Sequence, residues 1–406
     1  MVDQRVSRIV ASAGLLVVLA GSAGCGDQAT TQATTQVAGG PGTTIQDDRW
    51  RRLPDAPLSP RAWSVMVSTG TDVLVMGGQD TGPCPPGADC AIGRIRRDGA
   101  ALDLTTRSWR PIAPARLPLH GEQAVVVDGV VHVLARDHGP EGYDKPPRLL
   151  SYDIAADRWR ESAASGNTIG AALASSALTP ADGKLLAYET SHEQGRVPDR
   201  ILAGRVWQDL PADPLGPSFD RAMMPVGDDR LVLFAHEWVP NPGADEPSIV
   251  QAAEFDLPTR TWRRLPDSEI IGGWSWSVTD GLLVDPSTGG ADGGQTGNYG
   301  RVFPYGGIFD PQTRRWRPLP VLPEGRTDAL WQGPATGGTE LAVERGYVLD
   351  PEAGKSGRWI RLTEPTQGAR EGRSAVWVGD RLVAFGGTVI TGRKSAFTAE
   401  SWMWHQ

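Results

Sequence analysis

One spacing constrains this chain more than any other: an aspartate followed six residues later by a tryptophan, recurring about every fifty residues. The copies are Asp103 to Trp109, Asp153 to Trp159, Asp256 to Trp262 and Asp310 to Trp316. A fifth, Asp350 to Trp359, carries three extra residues. Tyr152, Phe255 and Phe309 stand just before the aspartate in three of them. The tryptophans at 50, 109, 159, 207, 262, 316 and 359 are separated by 59, 50, 48, 55, 54 and 43 residues. Self-similarity at such a period means a repeat architecture, in which each unit is one supersecondary element that buries its apolar surface against its neighbours.

Within each period the apolar residues come in short runs. Ala124–Val127 is followed after a turn by Val130–Leu134, and Arg381 opens the run that ends at Gly386-Gly387. A third run ends at the aromatic-aspartate pair, and the tryptophan run is the fourth. Short runs at even spacing with turn residues between them predict an all-β chain. The 50 glycines and 33 prolines among 406 residues fit many turns. No segment beyond the N-terminal apolar stretch has a helical period. The tryptophan is expected to fill the space between neighbouring sheets, and the aspartate to cap the turn before it through its own backbone.

These residues resemble kelch repeats: Gly77-Gly78 and Gly386-Gly387 at the ends of second strands, the Tyr/Phe-Asp pairs, the tryptophan six residues on, and Trp50–Pro57 as a strand-four ending. The double glycine is missing from most middle copies, and the copy around Trp207 lacks the aspartate. The resemblance covers residues 47–406. It implies a kelch-type β-propeller of about seven four-stranded blades, with six possible. Strands at 373–379, 381–387 and about 399–405 lack a fourth partner. The segment from Asp48 to Pro54 is a fourth strand without a blade. Pairing of the two would close the ring and remove the sheet edges.

Residues 1–24 read as a signal peptide. Arg5 and Arg8 supply the positive start, and Ile9–Ala20 is an apolar run too short to span a bilayer. Small residues and Cys25 follow, resembling a bacterial lipobox, although Ser22 stands where that pattern has leucine. The resemblance implies lipidation at Cys25, export, and a membrane attachment through lipid alone at the outer face of the cell membrane; a plain secretory signal beside a free thiol is the alternative. Residues 25–46 hold almost no charge and few large apolar side chains, so they read as a flexible tether. In an oxidising compartment Cys84 and Cys90 are expected to pair. Two thiolates without a nearby histidine make a poor metal site.

A net charge of −8 argues against nucleic acid as a partner. Propellers bind at a face built from the loops between strands two and three and from the lead-ins to strand one. The lead-ins place Arg61, His120, Glu122, Asp220, Arg221, Trp274, Trp276, Arg326, Asp328, Arg370, Glu371 and Arg373 on that face as candidate ligand-binding residues. Arginine grips carboxylates in two-point fashion and tryptophan stacks on sugar faces, so a glycan or a protein partner is expected. The competing reading makes the arginines structural ties between blades. Trp274 and Trp276 share one face of a strand, either as core plugs like Trp63, Trp331 and Trp377 or as a stacking platform.

No phosphate loop, Gly-x-Ser-x-Gly or zinc-protease motif is present. The six histidines show no metal-ligand pairing on one strand, so no metal and no cofactor are expected and the copper-oxidase branch of the fold is disfavoured. A carbohydrate-active enzyme resembling the sialic-acid mutarotases remains the alternative, with His120, Glu122 and Glu371 as acid–base groups. The preferred expectation is a surface binding or scaffold protein, its loops at 79–99, 137–148, 239–250 and 286–304 carrying recognition.

Overall fold

A computed structural model describes residues 49–84, 90–137, 147–161, 176–193, 195–204, 206–238, 247–273, 275–291, 300–323, 342–344, 347–354, 357–362 and 370–405. Every regular element among them is a β-strand. Six sheets are four-stranded and antiparallel, and they form the blades of a propeller. Blade 1 contains Val65–Ser68, Asp72–Met76, Gly99–Asp103 and Ser108–Ile112. Blade 2 contains Ala124–Val127, Val130–Ala135, Arg148–Asp153 and Arg158–Glu161. Blade 3 runs from Ser176–Ala181 to Val206–Asp209, and blade 4 from Ser218–Val226 to Thr261–Arg264. Blade 5 runs from Ser277–Thr279 to Arg315–Arg317.

A further sheet of three strands, Ala342–Glu344, Tyr347–Asp350 and Arg358–Arg361, carries the Asp350 to Trp359 copy of the repeat. The closing blade joins Ser374–Val378, Arg381–Phe385 and Ser401–His405 to the first strand of the chain, Trp50–Arg52. There Trp50 pairs with Trp404 and Arg52 with Trp402. This is the closure expected from the unmatched strands at the two ends. The four-stranded blades among the described residues number six, the lower of the counts expected from the repeat.

The turns follow from their residues. Asp128-Gly129, Asp182-Gly183 and Asp280-Gly281 link strands one and two, all with positive φ. That conformation suits a two-residue hairpin whose twist matches the strands. Between strands three and four, Asp103, Asp153, Asp256, Asp310 and Asp350 each accept backbone N–H bonds from residues two or three ahead. The residue two before the tryptophan is left-handed at Arg107, Asp157, Arg260, Arg314 and Gly357.

Both faces of each blade are buried, and an apolar cluster fills each junction around the ring. Blade 1 packs on the closing blade through Val73, Val75, Val383 and Phe385, and on blade 2 through Leu74, Val131 and Tyr152. Phe234 of blade 4 lies flat on Trp276 at 3.7 Å, before blade 5. The three-stranded sheet contributes Tyr347, Leu349 and Trp359 on one side and Val348 on the other.

The repeated tryptophans also carry a polar tie. The indole N–H groups of Trp109, Trp159, Trp262, Trp316 and Trp359 donate to the carbonyls of Pro54, Ala113, Pro211, Pro266 and Pro320, at 2.8–2.9 Å. Each acceptor lies four residues after the preceding copy's tryptophan. The residue is therefore both an apolar plug and a donor that sets one blade against the next.

Candidate ligand-binding face

Antiparallel order puts the lead-ins to strand one and the loops between strands two and three at the same face. Most lead-ins need a left-handed residue. Gly121, Gly273 and Gly372 supply it without steric cost, and Asp220 is a residue type that tolerates it. In blade 1 the same role falls to Trp63, at φ 54. A bulky side chain in this region is strained by roughly 1–2 kcal/mol. Trp63 is half-buried on the face, which corrects the expectation of a core plug. Trp377, its counterpart on the closing blade, does fill the core at 1% exposure.

Three lead-ins meet at Trp63. Its backbone N–H donates to the Gly372 carbonyl at 2.7 Å, between Glu371 and Arg373. A Cβ at position 372 would sit 2.7 Å from the indole ring, so the ring rests on bare backbone there. The His120 ring lies 5.5 Å away, centroid to centroid. Phe397 meets the indole edge-on at 6.4 Å. The Glu122 carboxylate caps its own loop, accepting from the backbone N–H groups of His120 and Arg136. Glu371 is exposed, and Arg373 is half-buried beside it. The Trp63 indole N–H makes no hydrogen bond within the described residues.

Phe397 comes from an element the sequence did not reveal. The loop between strands two and three of the closing blade folds into a hairpin of Thr388–Thr391 and Lys394–Phe397, turning at Gly392-Arg393. Arg370–Glu371 adds to it as a third strand. Alternation across Thr388–Phe397 was the available signal.

The arginines divide differently. Arg61 is fully buried, and its guanidinium grips Asp98 through two bonds of 2.9 and 3.1 Å, with Ser59 and the Gly77 carbonyl completing the set. Burial acts to raise the Asp98 carboxyl, but Arg61 and Arg96 outweigh it and hold it below the ordinary range. Arg221 is buried too. It bonds both oxygens of Asp199 at 3.1 and 2.9 Å, Asp213 at 3.1 Å and the Glu189 carbonyl, tying blade 3 to the lead-in of blade 4. A bulge between Phe219 and Ala222 turns Arg221 inward and leaves Asp220 exposed. Both guanidinium groups thus lie in the interior, paired with aspartates.

Trp276 is buried at the junction of blades 4 and 5, stacked on Phe234. Trp274, Arg326, Asp328 and Cys25 lie outside the described residues, and so does the Arg370 side chain. Cys84 and Cys90 form a disulfide. Among the described residues no three histidine, cysteine or carboxylate side chains gather as metal ligands. The face thus presents an aromatic platform beside the exposed carboxylate of Glu371. Compared with known proteins, the chain matches no protein-family model and no curated protein.

Proposed function

We propose that this protein is a kelch-type binding module displayed at the cell surface, which takes a glycan or a peptide on the platform formed by Trp63, His120 and Phe397. The observation that carries this reading is the left-handed Trp63. Glycine or aspartate fills that backbone position elsewhere, so a tryptophan there carries backbone strain while its ring stays only half-buried on the face. Strain of this kind gathers at functional sites. A half-exposed indole with an unused N–H offers a stacking surface and a donor. Exposed Glu371 supplies an acceptor for hydroxyl or amide groups. A lipid on Cys25, with residues 26–46 as tether, would hold the platform away from the membrane.

The test is quenching of tryptophan fluorescence by a panel of neutral and acidic cell-wall sugars and peptides, comparing the native chain with Trp63→Asn. A ligand that binds the native chain and not the variant supports the platform. Equal binding by both sinks it. Turnover of a bound sugar, lost in Glu371→Gln, would replace the binder with a carbohydrate-active enzyme at the same site. Failure of Cys25→Ala to release the protein from membranes would remove the lipid anchor from the proposal.

A further inference from the structure

The opposite face, formed by the turns between strands one and two and between strands three and four, holds a second site. A cleft of about 700 Å³ opens there between blade 1 and the closing blade. Arg51, Arg107, Arg381 and His405 stand around it, and Leu104, with only 9% of its surface exposed, and Met403, with 5%, form part of its floor. The acid among the lining residues is Asp380, 3.6 Å from Arg381. Arg51 and Arg107 are exposed, and neither forms an ion pair or side-chain hydrogen bond with the described residues. Three arginines with a single acid among them stand out on a chain of net charge −8.

The repeat itself does not demand this charge. Arg107 occupies the left-handed position two before the tryptophan, and its equivalents elsewhere tie blades together. Asp157 accepts the Ala113 N–H at 2.8 Å, Arg260 donates to the Asp209 carbonyl at 2.9 Å, and Arg314 approaches Glu254 at 3.9 Å. Arg107 makes no such tie. The matching cleft between blades 3 and 4 is lined instead by Asp182, Asp228 and Asp229 together with Lys184 and Arg260. The two clefts occupy equivalent places in the repeat, whereas the positive rim is found at the closing junction and not between blades 3 and 4.

We propose that this cleft binds a small polyanion bearing phosphate or carboxylate groups. Arg107 of blade 1 and Arg51 and Arg381 of the closing blade grip it from both sides. Guanidinium forks match both kinds of oxyanion. A ligand held across this junction ties the first blade to the blade that closes the ring, so binding stabilises the closure. The site is independent of the Trp63 platform on the other face.

The experiment is a thermal-melt titration of the full chain with inorganic pyrophosphate and with citrate, at constant ionic strength. A rise in melting temperature that saturates is expected with at least one, since a ligand at a hundred times its dissociation constant adds about 2.7 kcal/mol. The larger response identifies phosphate or carboxylate as the recognised group. Arg51→Glu/Arg107→Glu should weaken binding by roughly tenfold or more, as loss of two charge-assisted contacts requires. Arg260→Glu, at the equivalent position of blade 4, should bind as the native chain does. No response to either anion, or an undiminished response in the double variant, overturns the proposal. Without ligand, Arg107→Gln should melt no lower than the native protein because like charges are relieved. A clear drop would make Arg107 a structural tie and also overturn it.

Discussion

Trp159 offers the sharpest test of how the ring is held together. Its indole donates to the Ala113 carbonyl at 2.8 Å, while the Ala113 N–H donates to Asp157, which also accepts the Tyr152 hydroxyl at 2.7 Å. One residue of blade 1's exit, Ala113, is thus clamped through both its N–H and its carbonyl by blade 2. The Trp159 ring is 5% exposed and lies 5.1 Å from that of Tyr152. Trp159→Phe keeps most of the volume but leaves the Ala113 carbonyl without its donor, which costs about 1–2 kcal/mol. Trp159→Ala also opens a cavity and loses the ring pair, for a total of about 4–5 kcal/mol. A body of about 360 residues changes its unfolding free energy by roughly 0.8 kcal/mol per degree near its midpoint, so the alanine variant should melt about 5–6 °C lower and the phenylalanine variant about 1–3 °C lower. Differential scanning calorimetry reads both. Trp238→Ala, at an exposed aromatic, serves as the control and should move little. A phenylalanine variant that melts with the native protein would refute the polar clamp. One that melts with the alanine variant would refute the plug.

Other consequences are equally open to measurement. Burial lowers the pKa of His132 to about 4, so it stays neutral in the fold while the unfolded chain titrates near 6.5. Its stabilising contribution is therefore full above pH 6.5 and is lost as pH falls toward 4, by up to about 3 kcal/mol; His132→Gln should flatten that slope in urea melts, and a native-state titration of the ring centred near 6.5 would contradict it. Asp199→Asn should destabilise by about 1–3 kcal/mol because it takes one of two carboxylates from the buried Arg221 and leaves Asp213 as its counter-charge, whereas Arg221→Met, which strips both buried carboxylates of that cation, should cost about 3–5 kcal/mol. Denaturant curves that rank these two the other way would show that the pair is not the tie between the blades. Opening the Cys84–Cys90 link should cost about 2 kcal/mol at most, since it closes a short loop; loss of the whole melting transition on reduction would disprove that. Trp63→Asn should raise stability by roughly 1 kcal/mol through relief of backbone strain, and a fall in melting temperature would make Trp63 a packing residue.

The sequence by itself determined the all-β repeat, the turn-capping aspartates, the tryptophan plugs, the Cys84–Cys90 pairing and the closure of the ring by the first strand on the last. Each of these follows from local chemistry at a fixed spacing, and local chemistry is written along the chain. The indole N–H ties were hidden because their acceptors are backbone carbonyls, which any residue supplies. The fate of the candidate face was decided only in the tertiary structure. Whether Arg61 meets a ligand or an aspartate depends on Asp98, 37 positions away, and whether Arg221 turns inward depends on a bulge. In a propeller both faces of every sheet are buried, so alternation does not separate core from surface. Trp63 and Trp377 read alike in the sequence, yet a left-handed backbone puts the first on the open face and a regular strand puts the second in the core.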